Sequence, residues 1–333
     1  MKKILISIFI MLCIQLGAFA QRVNVAFTID NNYPLFTLLA INSILVNNKS
    51  NSDYMFYIVE NNITDRNKRF MEKFVTNMGQ QIEFINIDTS IIDNGTYYYT
   101  FSEGKRITKI GMARILLPEF LPETVHRVIY LDGDILVTGD LSELYNSDLG
   151  GKSTGMSDNI GLLEYTKYKF KNYYNSGMIV MDLDKWRKSK IPDKMLEYLN
   201  TNKESFIYNG EHDNSKFLYP DQDLINIVLD GNIKTLEQRW NNQTIRMLHV
   251  EEFDKKGIIH YIGPHKPWHF SYISNPGIKM YYEYWKASPL RNYIYLYKYK
   301  SVQRLYVNVC RRKYNRYKIV LRSIKQGKFT FLY

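Results

Sequence analysis

The sequence predicts an α/β fold built around a mainly parallel sheet, and three observations carry that expectation. Over residues 23–87, short β-rich apolar runs alternate with segments of helical spacing, the pattern of βαβ units. Two Asp-bearing turns, at Asp30 and Asp132, directly follow such runs, where open parallel sheets collect their ligands. The chain has 333 residues, 45% hydrophobic and 23% charged, enough to bury one large core.

Taken in order, residues 23–29 read as a strand, Asp30-Asn31-Asn32-Tyr33 as a turn and residues 34–46 as a helix. A strand over 54–59, a helix over 65–77 with Asp65 in its first turn, and a strand over 81–87 follow. Residues 88–105 break the rhythm with Gly, Ser, Thr and Tyr97-Tyr98-Tyr99 and read as a loop. A short helix over 108–117 carries Arg114, and the apolar run Val128-Ile129-Tyr130-Leu131 is a strand ending at Asp132. Residues 178–181 form a further strand, 182–188 a helix, and 221–229 a helix capped by Asp221. No internal repeat and no low-complexity linker interrupts the chain before residue 289.

Charge is distributed unevenly. Of 44 Lys and Arg, 13 lie in residues 284–333, where no acid occurs, leaving 31 against 33 acidic residues in the rest. A nearly neutral body excludes nucleic acid as the expected partner, and a basic tail points to a local anionic surface. Within residues 291–328, Ile294, Tyr297, Val302, Leu305 and Val309 fall roughly along one helical face, which suits an anionic membrane surface; a solvated helix closing the domain is the alternative. Cys13 and Cys310 offer no zinc or redox motif. Lys2 and Lys3, an uncharged stretch over 4–20 and Ala18-Phe19-Ala20 read as a secretory signal peptide or a membrane anchor covering residues 1–22. The expected organisation is therefore 1–22 as signal or anchor, 23–288 as the main folded domain and 289–333 as a basic aromatic tail.

Two segments carry chemistry. Asp132-Gly133-Asp134 can hold Mn²⁺ or Mg²⁺ through hard carboxylate oxygens, although Asp-Gly between apolar runs equally specifies a tight hairpin. An EF-hand is excluded by the ligand spacing. The second segment is His260-Tyr261-Ile262-Gly263-Pro264-His265-Lys266-Pro267-Trp268. There His260 can complete a metal shell, Gly263 lets backbone approach a phosphate and Lys266 offers a point charge. The bland alternative is a strand running into a Pro-rich turn whose Trp268 packs in the core. Taken singly, Asp221 reads as a helix cap, Arg114 as an exposed helix charge and Tyr33 as core.

These segments do not stand alone. Asp30-Asn31-Asn32-Tyr33, Met112-Ala113-Arg114, Tyr130 to Asp134, Ser157-Asp158, Tyr174-Asn175-Ser176-Gly177, Asp221-Gln222-Asp223 and residues 260–268 occur in the order seen in glycosyltransferase family 8, which the chain resembles from about Val23 to Trp268. The resemblance implies a GT-A, Rossmann-like fold and a retaining hexosyltransferase. It would use a UDP-sugar donor, a glycan or lipid-linked glycan acceptor and Mn²⁺ or Mg²⁺. By the same resemblance Asp132, Asp134 and His260 are metal ligands. Asp30, Asn32 and Tyr33 hold the uracil, and Gly263 and Lys266 the phosphates. Arg114, Asp158, Asn175, Asp221 and Gln222 surround the donor sugar, with Asp158, Asp221 and Gln222 as catalytic candidates. No Glu nucleophile presents itself, which favours a same-face mechanism with Gln222 or Asp221 near the anomeric carbon. Other readings are an inactive nucleotide-sugar-binding protein on the same fold and a secreted surface protein. Residues 1–22 are an addition to the family pattern, and Asn31 replaces an acid often found beside Asp30. Residues 88–105 and 162–173 match nothing transferable and are expected to shape the acceptor site. The expected location is membrane-associated, in tension with a cytosolic donor.

Overall fold

The computed structural model describes residues 21–88, 109–158, 170, 172–202, 220–243, 256–263, 266–269 and 275–293. Residues 1–20 of the expected signal or anchor, almost all of the 88–105 loop, most of the 162–173 loop and the tail beyond residue 293 lie outside the described residues, while Arg22 already opens the first strand. Two compact units are present, one ending at His260 and one beginning at Tyr261.

The first unit carries strands β1 (Arg22–Asp30), β2 (Asp53–Asn61), β3 (Gln81–Asn86), β4 (Arg127–Leu131), β5 (Ile135–Val137), β6 (Thr154–Ser157), β7 (Met178–Asp182), β8 (Ile233–Leu236), β9 (Asn242–Gln243) and β10 (Ile258–His260). Its helices are α1 (Pro34–Val46), α2 (Asp65–Asn77), α3 (Leu117–Phe120), α4 (Leu141–Tyr145), α5 (Leu183–Lys188), α6 (Ile191–Thr201) and α7 (Pro220–Val228), with a 3₁₀ segment over Lys109–Leu116. Seven strands form one sheet in the order β3-β2-β1-β4-β7-β6-β8, and β5-β10-β9 form a smaller one. Residues 23–29 of β1 are all buried, as expected of a strand covered on both faces, whereas the edge strand β3 is only partly covered. The predicted bounds of α1 and α2 match the observed ones. Pro34 supplies a pre-set first turn for α1, and Thr64 caps α2 by accepting from Asn67 N–H at 3.4 Å.

The sheet is mainly parallel, as predicted, with one inversion that the sequence did not reveal. β7 runs antiparallel to both β4 and β6. Its N-terminal end therefore lies beside the C-terminal end of β4, pairing Met178 with Leu131 and bringing Gly177 O to Asp132 N–H at 2.9 Å.

The hairpin alternative for Asp132-Gly133-Asp134 does not hold. β4 belongs to the large sheet and β5 to the small one, so the turn is a crossing between sheets. α1 fixes the far side of that crossing, because Ser43 Oγ accepts from Val137 N–H at 2.9 Å and Asn47 Nδ2 donates to Val137 O at 3.0 Å.

Asp140 closes the same region as the N-cap of α4, accepting from Ser142 N–H (3.0 Å), Ser142 Oγ (2.8 Å) and Ser50 N–H (2.7 Å). Partial burial raises its pKa, but these bonds outweigh that and hold the carboxyl below its ordinary range. A depressed folded-state pKa contributes stability that is present above the unfolded value of about 3.9 and is lost as pH falls through the folded value. Asp140→Ala is therefore expected to lose about 1 kcal/mol at pH 7. The difference from wild type should shrink below the ordinary carboxylate range, as urea titrations at several pH values would measure.

The second unit holds α8 (Pro276–Ala287), capped by Asn275, whose Oδ1 accepts from Gly277 N–H at 2.9 Å. Tyr281 lies 5.1 Å from Tyr261, 6.1 Å from Trp268 and 5.7 Å from Trp285 between ring centroids. Trp268 is thus a core residue of this unit, in line with the bland reading of its segment. Among the described residues no helix is long and apolar enough to cross a membrane.

Candidate active site

The small sheet answers how residues so distant in sequence meet. β10 pairs antiparallel with β5, placing His260 opposite Ile135, next to Asp134. His260 Nε2 lies 3.3 Å from Asp134 Oδ1 and 3.6 Å from Asp132 Oδ2, and one ligand atom from each residue falls within 4.8 Å of the others. Two hard oxygens and one imidazole nitrogen form a donor set suited to Mn²⁺ or Mg²⁺. Gly177 leaves room for it: a Cβ there would overlap His260 Cε1 and lie 2.8 Å from Asp132 Oδ2. Its φ is not positive, so space rather than backbone conformation demands the glycine. The residues present therefore fit a divalent ion.

Asp132 is oriented from behind. Its Oδ1 accepts from Tyr130 Oη at 2.6 Å and pairs with Arg114 at 3.1 Å, leaving Oδ2 turned to His260. Burial pushes the Tyr130 hydroxyl well above the usual phenol range, only partly opposed by Arg114, so it remains a donor. Arg114 is buried, not the exposed helix charge it resembles when taken alone. It also pairs with Asp221 at 3.2 Å, donates to Ser176 O at 2.9 Å and Gly111 O at 2.7 Å, and covers the Tyr130 ring at 4.7 Å. Burial works against its charge, but Asp132 and Asp221 outweigh that and raise its pKa.

Asp221 is no helix cap. It lies inside the first turn of α7, with Oδ2 accepting from Ser176 Oγ at 2.8 Å. The adjacent Gln222 accepts on Oε1 from Asn175 Nδ2 (2.8 Å) and Ser176 N–H (3.2 Å). Tyr173, at the end of a loop expected to shape the acceptor site, is fully buried, receives Gln222 Nε2 at 2.9 Å and donates to Asp223 at 2.6 Å. Asp158 follows β6 and bridges backbone to backbone with Tyr174, the neighbour of Asn175.

At the end of β1, Asp30 accepts from Asn32 N–H at 2.8 Å and Asn32 Nδ2 at 3.3 Å, forming a tight Asx turn with Asn32 exposed. Tyr33 presses on the metal turn, since a Cβ on Gly133 would meet Tyr33 Cδ1 at 3.1 Å. Burial first, then Asp134, Asp132 and Asp30, push its hydroxyl above the usual phenol range. Tyr33 is thus only half-buried and borders the carboxylates instead of filling the core.

Eleven of the sequence-predicted residues, from Asp30 to His260, thus lie on one unit and border one carboxylate-lined region or its immediate supports. Gly263 and Lys266 belong to the second unit, where Gly263 adopts φ +79° and Lys266 Nζ donates to Tyr261 O at 2.8 Å. Sequence reasoning gave no role to Tyr130, Tyr173, Gly177 or Asn241. Tyr130 looked like one more apolar strand residue, and Asn241, beside Trp240, carried no motif.

A family model described as Glycosyl transferase family 8 matches residues 24–271. General stress protein A of Bacillus subtilis (strain 168) is 28% identical over 274 residues, covering 77% of this chain and 90% of that protein. Lipopolysaccharide 1,2-glucosyltransferase of Escherichia coli (strain K12) is 26% identical over 282 residues, covering 79% and 77% respectively. The galactosyltransferase LgtC, solved with donor and acceptor sugar analogues, shares the fold with a TM-score of 0.65 at 22% identity, over 80% of this chain and 96% of LgtC. With a GT-A architecture, a match across most of its length and an Asp-Asp-His centre at the strand ends, the chain belongs to glycosyl transferase family 8.

Proposed function

We propose that this glycosyltransferase moves a hexose, glucose or galactose, from a UDP-sugar to a hydroxyl of a glycan or lipid-linked glycan, with retention at the anomeric carbon. The observation that carries the reading is the convergence of Asp132 Oδ2, Asp134 Oδ1 and His260 Nε2. A Mn²⁺ or Mg²⁺ ion held by these three residues would supply Lewis-acid stabilisation to the departing diphosphate. The lipopolysaccharide relative supports a glycolipid acceptor.

The chain's own residues divide the remaining work. Asp30, Asn32 and Tyr33 bind the uracil. Arg114 pairs with both Asp132 and Asp221 and fixes the two carboxylates. Because Asp221 is tied to both Arg114 and Ser176, it orients sugar hydroxyls and is poorly placed for nucleophilic attack. Gln222 is held by three neighbours and presents a fixed dipole to developing positive charge, while Asn175 and Asp158 position the sugar. Departure and attack on the same sugar face then need no enzyme nucleophile.

The test is UDP release from a panel of UDP-sugars with Mn²⁺, comparing wild type with Asp134→Ala. Wild type is expected to turn over UDP-glucose or UDP-galactose, and the variant to lose about 100-fold or more in rate. Absence of any donor binding or turnover by wild type would sink the enzyme reading. The anomeric configuration of the product, read by NMR, decides retention.

A further inference from the structure

We propose that Asn241 is a positioning residue that keeps a proton on His260 Nδ1 and so reserves Nε2 for the Asp132–Asp134 centre. Its purpose rests on the metal reading above; its geometry does not. Which end of a side-chain amide is oxygen follows from the hydrogen bonds around it, and here the chain of amides starts at groups with no choice.

The first fixed point is Gly177 N–H, which can only donate, and it meets Asn175 Oδ1 at 3.0 Å. The Asn175 amide nitrogen must then face Gln222 Oε1, at 2.8 Å. That oxygen also accepts from a second backbone group, Ser176 N–H, at 3.2 Å, so both ends of the Asn175–Gln222 link are set independently. Asn241 Nδ2 donates to the same Asn175 Oδ1 at 2.9 Å. Turning the Asn241 amide over would set two carbonyl oxygens against each other. Its Oδ1 therefore faces His260 Nδ1, at 2.9 Å.

An amide oxygen has only lone pairs to offer, so this contact is attractive only when Nδ1 carries hydrogen. Asn241 is fully buried and His260 is 2% exposed, which denies water the chance to replace either partner. Nε2 is then the nitrogen whose occupant can change, and it is the one that faces Asp134 and Asp132. The usual partner that fixes a ligating histidine is a carboxylate or a backbone carbonyl. A neutral side-chain amide does the same work without adding negative charge to a centre that already holds two carboxylates. It also ties the metal ligand, through Asn175, to Gln222 on the sugar side.

The decisive measurement is the protonation state of each His260 nitrogen, by long-range ¹H–¹⁵N correlation on the full chain, metal-free and with Mg²⁺. Nδ1 is expected to be protonated in both states, whatever Nε2 carries; an unprotonated Nδ1 in wild type overturns the proposal. The second measurement is Mn²⁺ affinity by calorimetry for wild type, Asn241→Leu and Asn241→Asp. Asn241→Leu should bind about 10- to 100-fold more weakly, whereas Asn241→Asp, which keeps an acceptor for Nδ1 but sets a carboxylate oxygen against Asn175 Oδ1, should fall between Asn241→Leu and wild type. Unchanged affinity in Asn241→Leu also overturns the proposal. A wild type that binds no Mn²⁺ would count against the metal centre itself, while the Nδ1 reading still decides the role of Asn241.

Discussion

Replacing Gly177 with alanine is expected to abolish useful metal binding while leaving the catalytic side chains in the sequence untouched. The added methyl would overlap His260 Cε1 and come within 2.8 Å of both His260 Nδ1 and Asp132 Oδ2. Relief is hard to find. The His260 ring is held by Asn241 and by β10, and Gly177 itself is tied to Asp132 through a backbone bond of 2.9 Å. Overpacking of this kind costs about 1–3 kcal/mol of stability. Displacement of one ligand should weaken Mn²⁺ binding by about 100-fold or more, because it disturbs the shell as losing an outer partner does and shifts a ligand as well. Calorimetric titration with Mn²⁺ and urea denaturation of the same sample separate the two effects. Wild-type affinity in Gly177→Ala would show that the volume above this glycine is not what the ion needs.

The second large effect belongs to Arg114. Arg114→Met removes a buried guanidinium from Asp132 and Asp221 at once. Leaving buried charge uncompensated costs about 3–5 kcal/mol, far more than an exposed pair would. Asp221→Asn in the same molecule removes one stranded charge. The double variant is therefore expected to recover part of the lost stability without recovering turnover. Equilibrium urea titrations of the two single variants and the double give the coupling directly. Strictly additive losses would mean that Arg114 and Asp221 do not share an ion pair in solution. Full activity in Arg114→Met would remove it from the donor site altogether.

The sequence was most informative where local chemistry decides structure. Pro34 and Thr64 sit where a helix begins, and α1 and α2 have the bounds their apolar spacing suggests. Asp132, Asp134 and His260 were legible because few residue types ligate a hard cation. The inversion of β7 was not legible, since an apolar run such as Met178–Asp182 has no direction written in it. The three residues of β5 are too few to reveal that they leave one sheet for another, which is why the hairpin alternative stayed open. Arg114 read as a surface charge because its two acid partners come from other elements, one of them more than a hundred residues away. Asn241 and Gly177 matter for what they touch across strands, and nothing at neighbouring positions announces that.

The antiparallel course of β7 has a consequence for quality control. Pairing Met178 with Leu131 puts the one residue without a side chain above the ligand cluster. A slip of one position would bring Ser176 or Met178 to that spot and reverse the faces of the whole strand. A misaligned chain could then keep its secondary structure and much of its core, yet have no room for an ion. A divalent ion taken up there would report the strand alignment, since only molecules that have found the native pairing could accept it.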